Sequence, residues 1–459
     1  MRLPSTMARN KPNVIICLCD QLRAFDVGCY GDGEIRTPNI DKLASEGVRF
    51  DIACSNNPVC TPARSILLSG QYSRSCAGSL VNVAEPEPQR RIFPSPTIAD
   101  VFKSAGYRTG LIGKWHIGPH PRTVGFDSAF FPHHSHRYTS QTYFDIDDSA
   151  RVIDGFCPEA EQKELAWFLD ADKGEPFFLF YNISQPHMPL ADIPERYKRM
   201  YAPAEVPLRP NVFADGKPAY EEKWFLIYLW DYLFYDQHLP HTVTLPDGFD
   251  LRHLTALYRG SVTWADDQLG ELMRQLASAG LDEDTIIVFT SDHGDNLGSH
   301  QLFNKDRLYE ESIRVPMIYR WPAGLAPRKI DTQVASLVDV MPTALSLAGL
   351  DIPNMVQGTN LSRVLTGKEK STGENAAFIE TTGGDVGIRT LTHLYGVRKA
   401  KDGKRTSNVI TDRHMFFDVA HDPLETHNAA ESSHCDPLAE TLRERVVRWD
   451  RETKWLKGQ

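Results

Sequence analysis

The chain reads as an α/β protein built on a mostly parallel sheet sandwiched by helices, with a small antiparallel α+β subdomain at its C-terminal end. Three observations predict this. Short apolar runs alternate with amphipathic helical stretches through the first three-quarters of the chain, the pattern that covers both faces of a parallel sheet with helices. Polar side chains of metal-ligating or acid–base type follow directly after four of those runs. Beyond Pro353 the runs become short and alternate with turn residues, as in an antiparallel sheet.

Each element follows from its residues. Residues 14–18 are a continuous apolar run and form the first strand; 108–112, 177–181 and 285–290 supply three more. Residues 38–46 form a helix, with proline in its first turn and Gly47 at its end. A second helix starts near 62 and closes before Gly70, a third spans 97–105, and 254–279 shows sustained helical periodicity. In the last part, 377–380, 393–397 and 414–419 are strands, with turns at Gly383–Gly384 and Asp402–Gly403, and 438–449 is a final amphipathic helix. A boundary near 355 divides the chain into a catalytic domain, 1–355, and a subdomain, 356–459.

Composition narrows the function. With 459 residues, 41% hydrophobic and 24% charged, the chain has the balance of a globular protein. A formal net charge of -10 argues against nucleic-acid binding, which needs a basic face. No run approaches the roughly 18 apolar residues of a membrane span. Residues 1–11 contain Arg2, Arg9 and Lys11 but no apolar core, so no secretory signal is visible and a cytoplasmic location is expected. Eight cysteines in a chain this long are no disulfide framework; most read as small buried hydrophobes.

Cys60 is the exception. The stretch Cys60-Thr61-Pro62-Ala63-Arg64, followed by Ser65-Ile66-Leu67-Leu68-Ser69-Gly70, resembles the signature of the sulfatase family, in which the cysteine is oxidised to formylglycine. Further segments carry the same resemblance: Thr37-Pro38-Asn39-Ile40-Asp41, Gly113-Lys114-Trp115-His116, Gln185-Pro186-His187, and Thr290-Ser291-Asp292-His293-Gly294-Asp295 with Gly298, His300 and Lys305. Arg314-Val315-Pro316, Asp339-Val340-Met341-Pro342-Thr343, and the region from Phe417-Asp418 to Asn428 extend it nearly end to end. The resemblance implies an alkaline-phosphatase-like fold and hydrolysis of a sulfate monoester, on a sugar or an aryl group.

The residue types fit that chemistry. A hydrated aldehyde at position 60 offers one hydroxyl as nucleophile and keeps a second to expel sulfate afterwards, an exit a plain serine lacks. Activating that hydroxyl calls for a hard cation with oxygen ligands, and Asp20, Asp292 and residue 60 meet the demand; the resemblance adds His293 and Gln21. Ca2+ is the first choice and Mn2+ the second, since His293 offers nitrogen. The resemblance also implies that Arg64 holds the aldehyde hydrate, Lys114 and Lys305 bind sulfate oxygens, His116 is the base for the second hydroxyl and His187 the acid for the leaving alcohol. Asp20, Gln21, Lys114, His116, His187, Asp292 and His293 all follow predicted strands, where the ligand site of a parallel sheet lies. The implied partners are a small-molecule or oligosaccharide sulfate ester and a formylglycine-generating enzyme; oligomeric state is open.

Two rival functions stand beside this one. Asp20-Gln21 departs from the Asp-Asp of many sulfatases, and with Asp292-His293 it resembles phosphonate monoester and phosphodiester hydrolases that share the nucleophile. A non-catalytic sulfoglycan-binding protein with an unmodified thiol is the other. His133, His134, His136, Arg137 and Tyr138 read as a solvated loop, Asp266 and Asp267 as an exposed helix face, and the aromatic stretch 220–235 as an insertion packed on the body. Asp295 and His300 are expected to support the site from behind. Pocket loops at 137–143 and 220–235, with the surroundings of Arg389 and His393, are expected to select the substrate.

Overall fold

A computed structural model describes residues 11–31, 33–83, 93–132, 136–171, 174–214, 217–218, 223–235, 245–399, 410–432 and 436–456. Within them the strands run, in chain order, β1 (Asn13–Asp20), β2 (Val48–Cys54), β3 (Arg108–Gly113), β4 (Ser128–Phe131), β5 (Thr142–Asp145), β6 (Ala150–Val152), β7 (Phe177–Pro186), β8 (Phe213–Ala214), β9 (Lys217–Pro218), β10 (Thr285–Ser291), β11 (Met317–Arg320), β12 (Arg328–Ser336), β13 (Ala377–Glu380), β14 (Asp385–Arg389), β15 (His393–Lys399) and β16 (Ile410–Asp418).

A ten-stranded sheet in the order β12-β2-β11-β10-β1-β7-β3-β4-β5-β6 forms the body. Its centre is parallel: β1 pairs with β10 on one side and β7 on the other, and β3 joins β7 to β4. The expected parallel sheet is therefore present, with antiparallel insertions at β11 and at the edge strands β5 and β6.

The central strands are apolar throughout because both faces are covered. Along β1, Val14, Ile16 and Leu18 enter one core while Ile15, Cys17 and Cys19 enter the other. In β10, Ile286 and Val288 face the first core and Ile287 and Phe289 the second. The long helix Leu251–Ala279 closes the second face; Asp250 caps its start by accepting from the Arg252 and His253 amides. No helix among the described residues is long and apolar enough to cross a membrane.

The four strands β13–β14–β15–β16 form a separate antiparallel sheet. Buried Arg74 ties it and the final helix, Pro437–Glu452, to the body. Its Nε donates to Glu380 on β13 at 2.7 Å and its Nη1 to Asp450 of the helix at 2.6 Å, with the Trp449 ring 4.7 Å from the guanidinium. Arg389 of β14 binds Glu310 at 2.7 Å. The turn at Gly383–Gly384 joins β13 to β14, while Asp402 and Gly403, like His133 and His134, lie outside the described residues.

Asp266 corrects an expectation. It is fully buried, not part of a solvated face, and its Oδ1 accepts from the Asn39 amide at 3.0 Å and the Ile40 amide at 2.7 Å. It thus satisfies the unpaired first-turn amides of the helix Pro38–Glu46 from another helix. Asp267, one position on, is exposed as expected.

One turn of this framework controls the site. Gly113 ends β3 at φ +88°, and a Cβ there would stand 2.0 Å from the Asn182 carbonyl oxygen of β7. Only glycine allows β3 to approach β7 so closely and then turn into Lys114. Gly113→Ala should lower the unfolding free energy by about 2 kcal/mol or more, by clash and left-handed strain together. Urea unfolding measures this; a change within error would contradict the assignment.

Candidate functional site

The parallel strands end on one side of the sheet, and their last residues build the site. Asp20 closes β1, Lys114 follows β3, His187 follows β7, and Asp292 and His293 follow β10. Cys60 opens the helix Cys60–Ser69, so its side chain sits at a positive helix end. Lys305 comes from the loop after β10.

Around the Cys60 sulfur the distances are short. Lys305 Nζ is 2.9 Å away, His293 Nε2 3.2 Å, Asp20 Oδ1 3.8 Å and Lys114 Nζ 3.9 Å. Asp20, Cys60, Asp292 and His293 each bring one ligand-type atom into a group whose members lie within 4.8 Å of one another, and all four are buried. Arg64 Nη2 stands 3.1 Å from both Asp20 Oδ2 and Asp292 Oδ2, and its Nη1 donates to the Lys114 carbonyl and to Asn182 Oδ1. Lys114 also pairs with Asp20.

Gln21 faces the same pocket. Its amide nitrogen donates to Asp295 Oδ2 at 2.5 Å, and its Oε1 is 3.5 Å from Lys305 Nζ. Asp295 is held in turn by Tyr232 at 2.6 Å, so the aromatic helix Lys223–Phe234, packed on the body, also steadies the pocket wall. Gln21 and His116 adopt positive φ angles of 68° and 50°. Such backbone strain costs of order 1–3 kcal/mol per residue and collects where geometry is imposed by function.

The electrostatics follow from burial and a surplus of nearby cations. Burial opposes ionisation of Cys60, yet Lys114, Lys305 and His293 bring the thiol well below its ordinary range. Burial and the Cys60 charge raise Asp20, but Lys114, His187 and Arg64 outweigh them and hold its carboxyl low. Asp292 moves up instead, pushed by burial and then by the Asp20 charge. Burial, aided by Lys114, brings both His116 and His187 down to about 4, although hydrogen bonds with Cys60 pull the other way.

His293 is oriented for a ligand. Its Nδ1 is 2.9 Å from the Gly294 carbonyl, an acceptor only, so Nδ1 carries a proton and Nε2 is turned towards the Asp20 and Asp292 carboxylates; burial opposes a charge on the ring, but the Asp292 charge outweighs it and raises the pKa of His293. His187 has the same arrangement, Nδ1 to the Met188 carbonyl at 2.6 Å, with Nε2 3.4 Å from Lys305 Nζ.

Asp20, Gln21, Cys60, Arg64, Lys114, His116, His187, Asp292, His293 and Lys305 are thus neighbours in space. Sequence reasoning underrated His136: its ring stacks on His187 at 4.3 Å and lies 5.3 Å from His116. Asn182, which holds Arg64, and Tyr258, which donates to the Gln21 carbonyl, were not singled out. Asn182 is a polar residue inside an apolar strand, a signal that could have found it. Tyr258, one more aromatic on a long helix, carries none.

The histidine environments generate a pH dependence. An unfolded histidine titrates near 6.5, whereas the folded values of His116 and His187 are about 4, so the unfolded chain binds more protons between these limits. Their contribution to stability is complete above pH 6.5 and is lost as pH falls towards 4, up to about 3 kcal/mol per residue. His116→Gln should flatten the decline in unfolding free energy across this window. An unchanged slope in urea melts from pH 7 to 4 would refute the assignment.

Comparison with known proteins finds relatives along most of the chain. The family model described as Sulfatase matches residues 12–350, and that described as N-sulphoglucosamine sulphohydrolase, C-terminal, matches 298–452. The chain is 30% identical to the ulvan-active sulfatase of Formosa agariphila over 91% of its own length and 77% of that protein. It is 28% identical to the N-acetylglucosamine-6-O-sulfatase of Bacteroides thetaiotaomicron, covering 93% of itself and 84% of the relative. Among solved structures, the YidJ protein of Bacteroides fragilis aligns with TM-score 0.80 and 27% identity over 98% of each chain.

Proposed function

The chain belongs to the sulfatase family, and from that premise we propose that this sulfuric ester hydrolase removes sulfate from a sulfated carbohydrate, using Cys60 oxidised to formylglycine and one divalent cation. The observation that carries the reading is the convergence of Cys60 with two buried carboxylates, His293 and the cations of Arg64, Lys114 and Lys305. The carbohydrate rests on the names of the two relatives, one active on ulvan and the other on N-acetylglucosamine 6-O-sulfate.

The donor set fits a hard cation. Asp20 and Asp292 supply oxygen, His293 turns Nε2 towards them, and a divalent ion would offset the Asp20 charge that, after burial, pushes Asp292 upward. Asp20, Asp292, His293 and residue 60 would hold the ion, with Gln21 Oε1 beside them; Ca2+ is favoured and Mn2+ is the second choice. A bound ion would polarise the sulfate and the hydroxyl of residue 60. Formylglycine, installed by a formylglycine-generating enzyme, would supply as its hydrate the nucleophilic hydroxyl and a second one for release of sulfate.

The Cys60 sulfur stands in for the oxygens of the modified side chain. Lys305 and Lys114, whose Nζ atoms lie 2.9 and 3.9 Å from it, donate to sulfate oxygens and offset charge that builds during transfer. Arg64 holds residue 60 and balances the carboxylates. His116, neutral at pH 7, is suited to take the proton from the second hydroxyl. His187 carries a proton on Nδ1; burial first and then Lys114 and Lys305 lower it, and an anionic substrate would offset the lysine charges and favour a proton on Nε2 for delivery to the leaving alcohol. Residues 1–355 form the catalytic domain and 356–459 the C-terminal subdomain in this reading.

Two experiments test it. Cys60→Ala should abolish release of sulfate from a panel of sulfated mono- and oligosaccharides while its unfolding curve stays within error of the parent, and peptide mass analysis of the parent should find the aldehyde at position 60. Retained turnover would refute the nucleophile, and faster hydrolysis of an aryl phosphonate ester than of an aryl sulfate would refute the substrate class. His187→Ala should slow a sugar sulfate by about 10²–10⁴-fold, the usual worth of a general acid, and an aryl sulfate with an activated leaving group far less. Equal losses on both would remove His187 from that role.

A further inference from the structure

A second group of ligand-type side chains lies outside the catalytic pocket and shares no residue with it. His300, Glu311 and Glu425 each direct one ligand atom into a group with all separations within 4.8 Å. They come from three segments: the loop after β10, the short helix Glu310–Ile313, and the loop beyond β16. His300 Nε2 is 3.6 Å from Glu311 Oε2 and 3.9 Å from Glu425 Oε2. Both carboxylates are almost wholly buried, their side chains 1% exposed.

An independent observation points to a ligand. Glu311 Oε2 has only the His300 imidazole, 3.6 Å away and beyond normal hydrogen-bond length, as a polar neighbour, and Glu425 Oε1 accepts no hydrogen bond. Leaving buried charged oxygens unsatisfied is expensive, and native structures rarely do so. The other two carboxylate oxygens are engaged, while Asn211 Oδ1 is a third buried oxygen that accepts no hydrogen bond. Glu311 Oε1 accepts from Arg209 at 3.0 Å and Asn211 at 2.7 Å, and Glu425 Oε2 from the Glu310 amide at 2.8 Å. Asn211 Nδ2 also reaches His300 Nε2 at 3.2 Å and the Leu424 carbonyl at 3.1 Å. The His300 ring is fixed by stacking on Tyr309 at 3.8 Å between centroids.

From this geometry we propose that His300, Glu311 and Glu425 bind a second divalent cation of the first-row type, Mn2+ or Zn2+. One imidazole and two carboxylates form a mixed nitrogen–oxygen set suited to these ions. Ligand atoms around an ion with bonds of about 2.0–2.2 Å are separated by roughly 3–4 Å, the spacing found here. Among the described residues Arg209 is the one lysine or arginine paired with Glu311, and Arg389 and Arg314 are committed to Glu310. The ion fastens the loop that carries Lys305, which lies between His300 and Glu311 in sequence, to the loop beyond β16.

The test uses Mn2+ alone as probe and the full chain. Crystals grown with Mn2+ should show an anomalous-scattering peak between His300, Glu311 and Glu425, separate from any peak at Asp20 and Asp292. In an Asp292→Asn background, which removes one of the two catalytic carboxylates, Mn2+ should still raise the melting temperature by about 2 °C or more. Adding Glu425→Gln should erase that shift; the glutamine mimics a protonated carboxyl, so the variant is expected to fold. No peak at the second site, or an equal shift with Glu425→Gln, would overturn the proposal and leave a shared proton as the account of the cluster.

Discussion

The constraint on which the structure depends is the burial of two carboxylates at the ends of neighbouring parallel strands. Asp20 and Asp292 have no solvent contact, and two such charges side by side are tolerated only with cations built around them. Arg64 bridges both, Lys114 pairs with Asp20, and Lys305 approaches the sulfur they surround. Because β1 and β10 pair directly, the sheet itself fixes how far apart the two carboxylates can be. The helix that starts at Cys60 must then dock so that Arg64, one turn along, reaches between them. The catalytic arrangement and the central packing are one problem with one solution.

The body of the fold was legible because its central strands are apolar on both faces. Such runs stand out in a sequence, and the polar residues after them mark the strand ends. What stayed hidden depends on partners far along the chain. β11 is four residues inserted antiparallel between β10 and β2, and nothing within those residues announces the direction. β2 interrupts its pattern with Arg49 and Asp51, and β12 begins with polar residues, so neither resembles the buried central type. Asp266 looked like half of a surface pair because its partners, the amides of Asn39 and Ile40, lie more than two hundred positions away.

The site divides along the same line. Residues that follow strands or sit in the Cys60 segment could be named from spacing and resemblance. Those that hold them in place were harder to find, because each makes its contact through a fold-dependent neighbour. Asn182 steadies Arg64 from inside an apolar strand, and Tyr232 grips Asp295, which in turn aligns Gln21. His136 shows the limit: a histidine in a polar loop is usually solvated, yet here its ring stacks against His187. The C-terminal sheet contributes no residue to the pocket named above, but through Arg389 and Glu310 it braces the segment that follows Lys305.

The complete shielding of Cys60 sets an order of events in the life of the chain. A side chain with no exposed surface, flanked by β1 and β10 and backed by its own helix, cannot be reached by another protein once the sheet has closed over it. Any enzyme that remakes this residue must act on a newly synthesised, still extended polypeptide, before residues from opposite ends of the sequence meet. On the formylglycine mechanism proposed above, a host that folds the chain faster than it oxidises it would accumulate a sound but inert product, and no later treatment short of unfolding would rescue it.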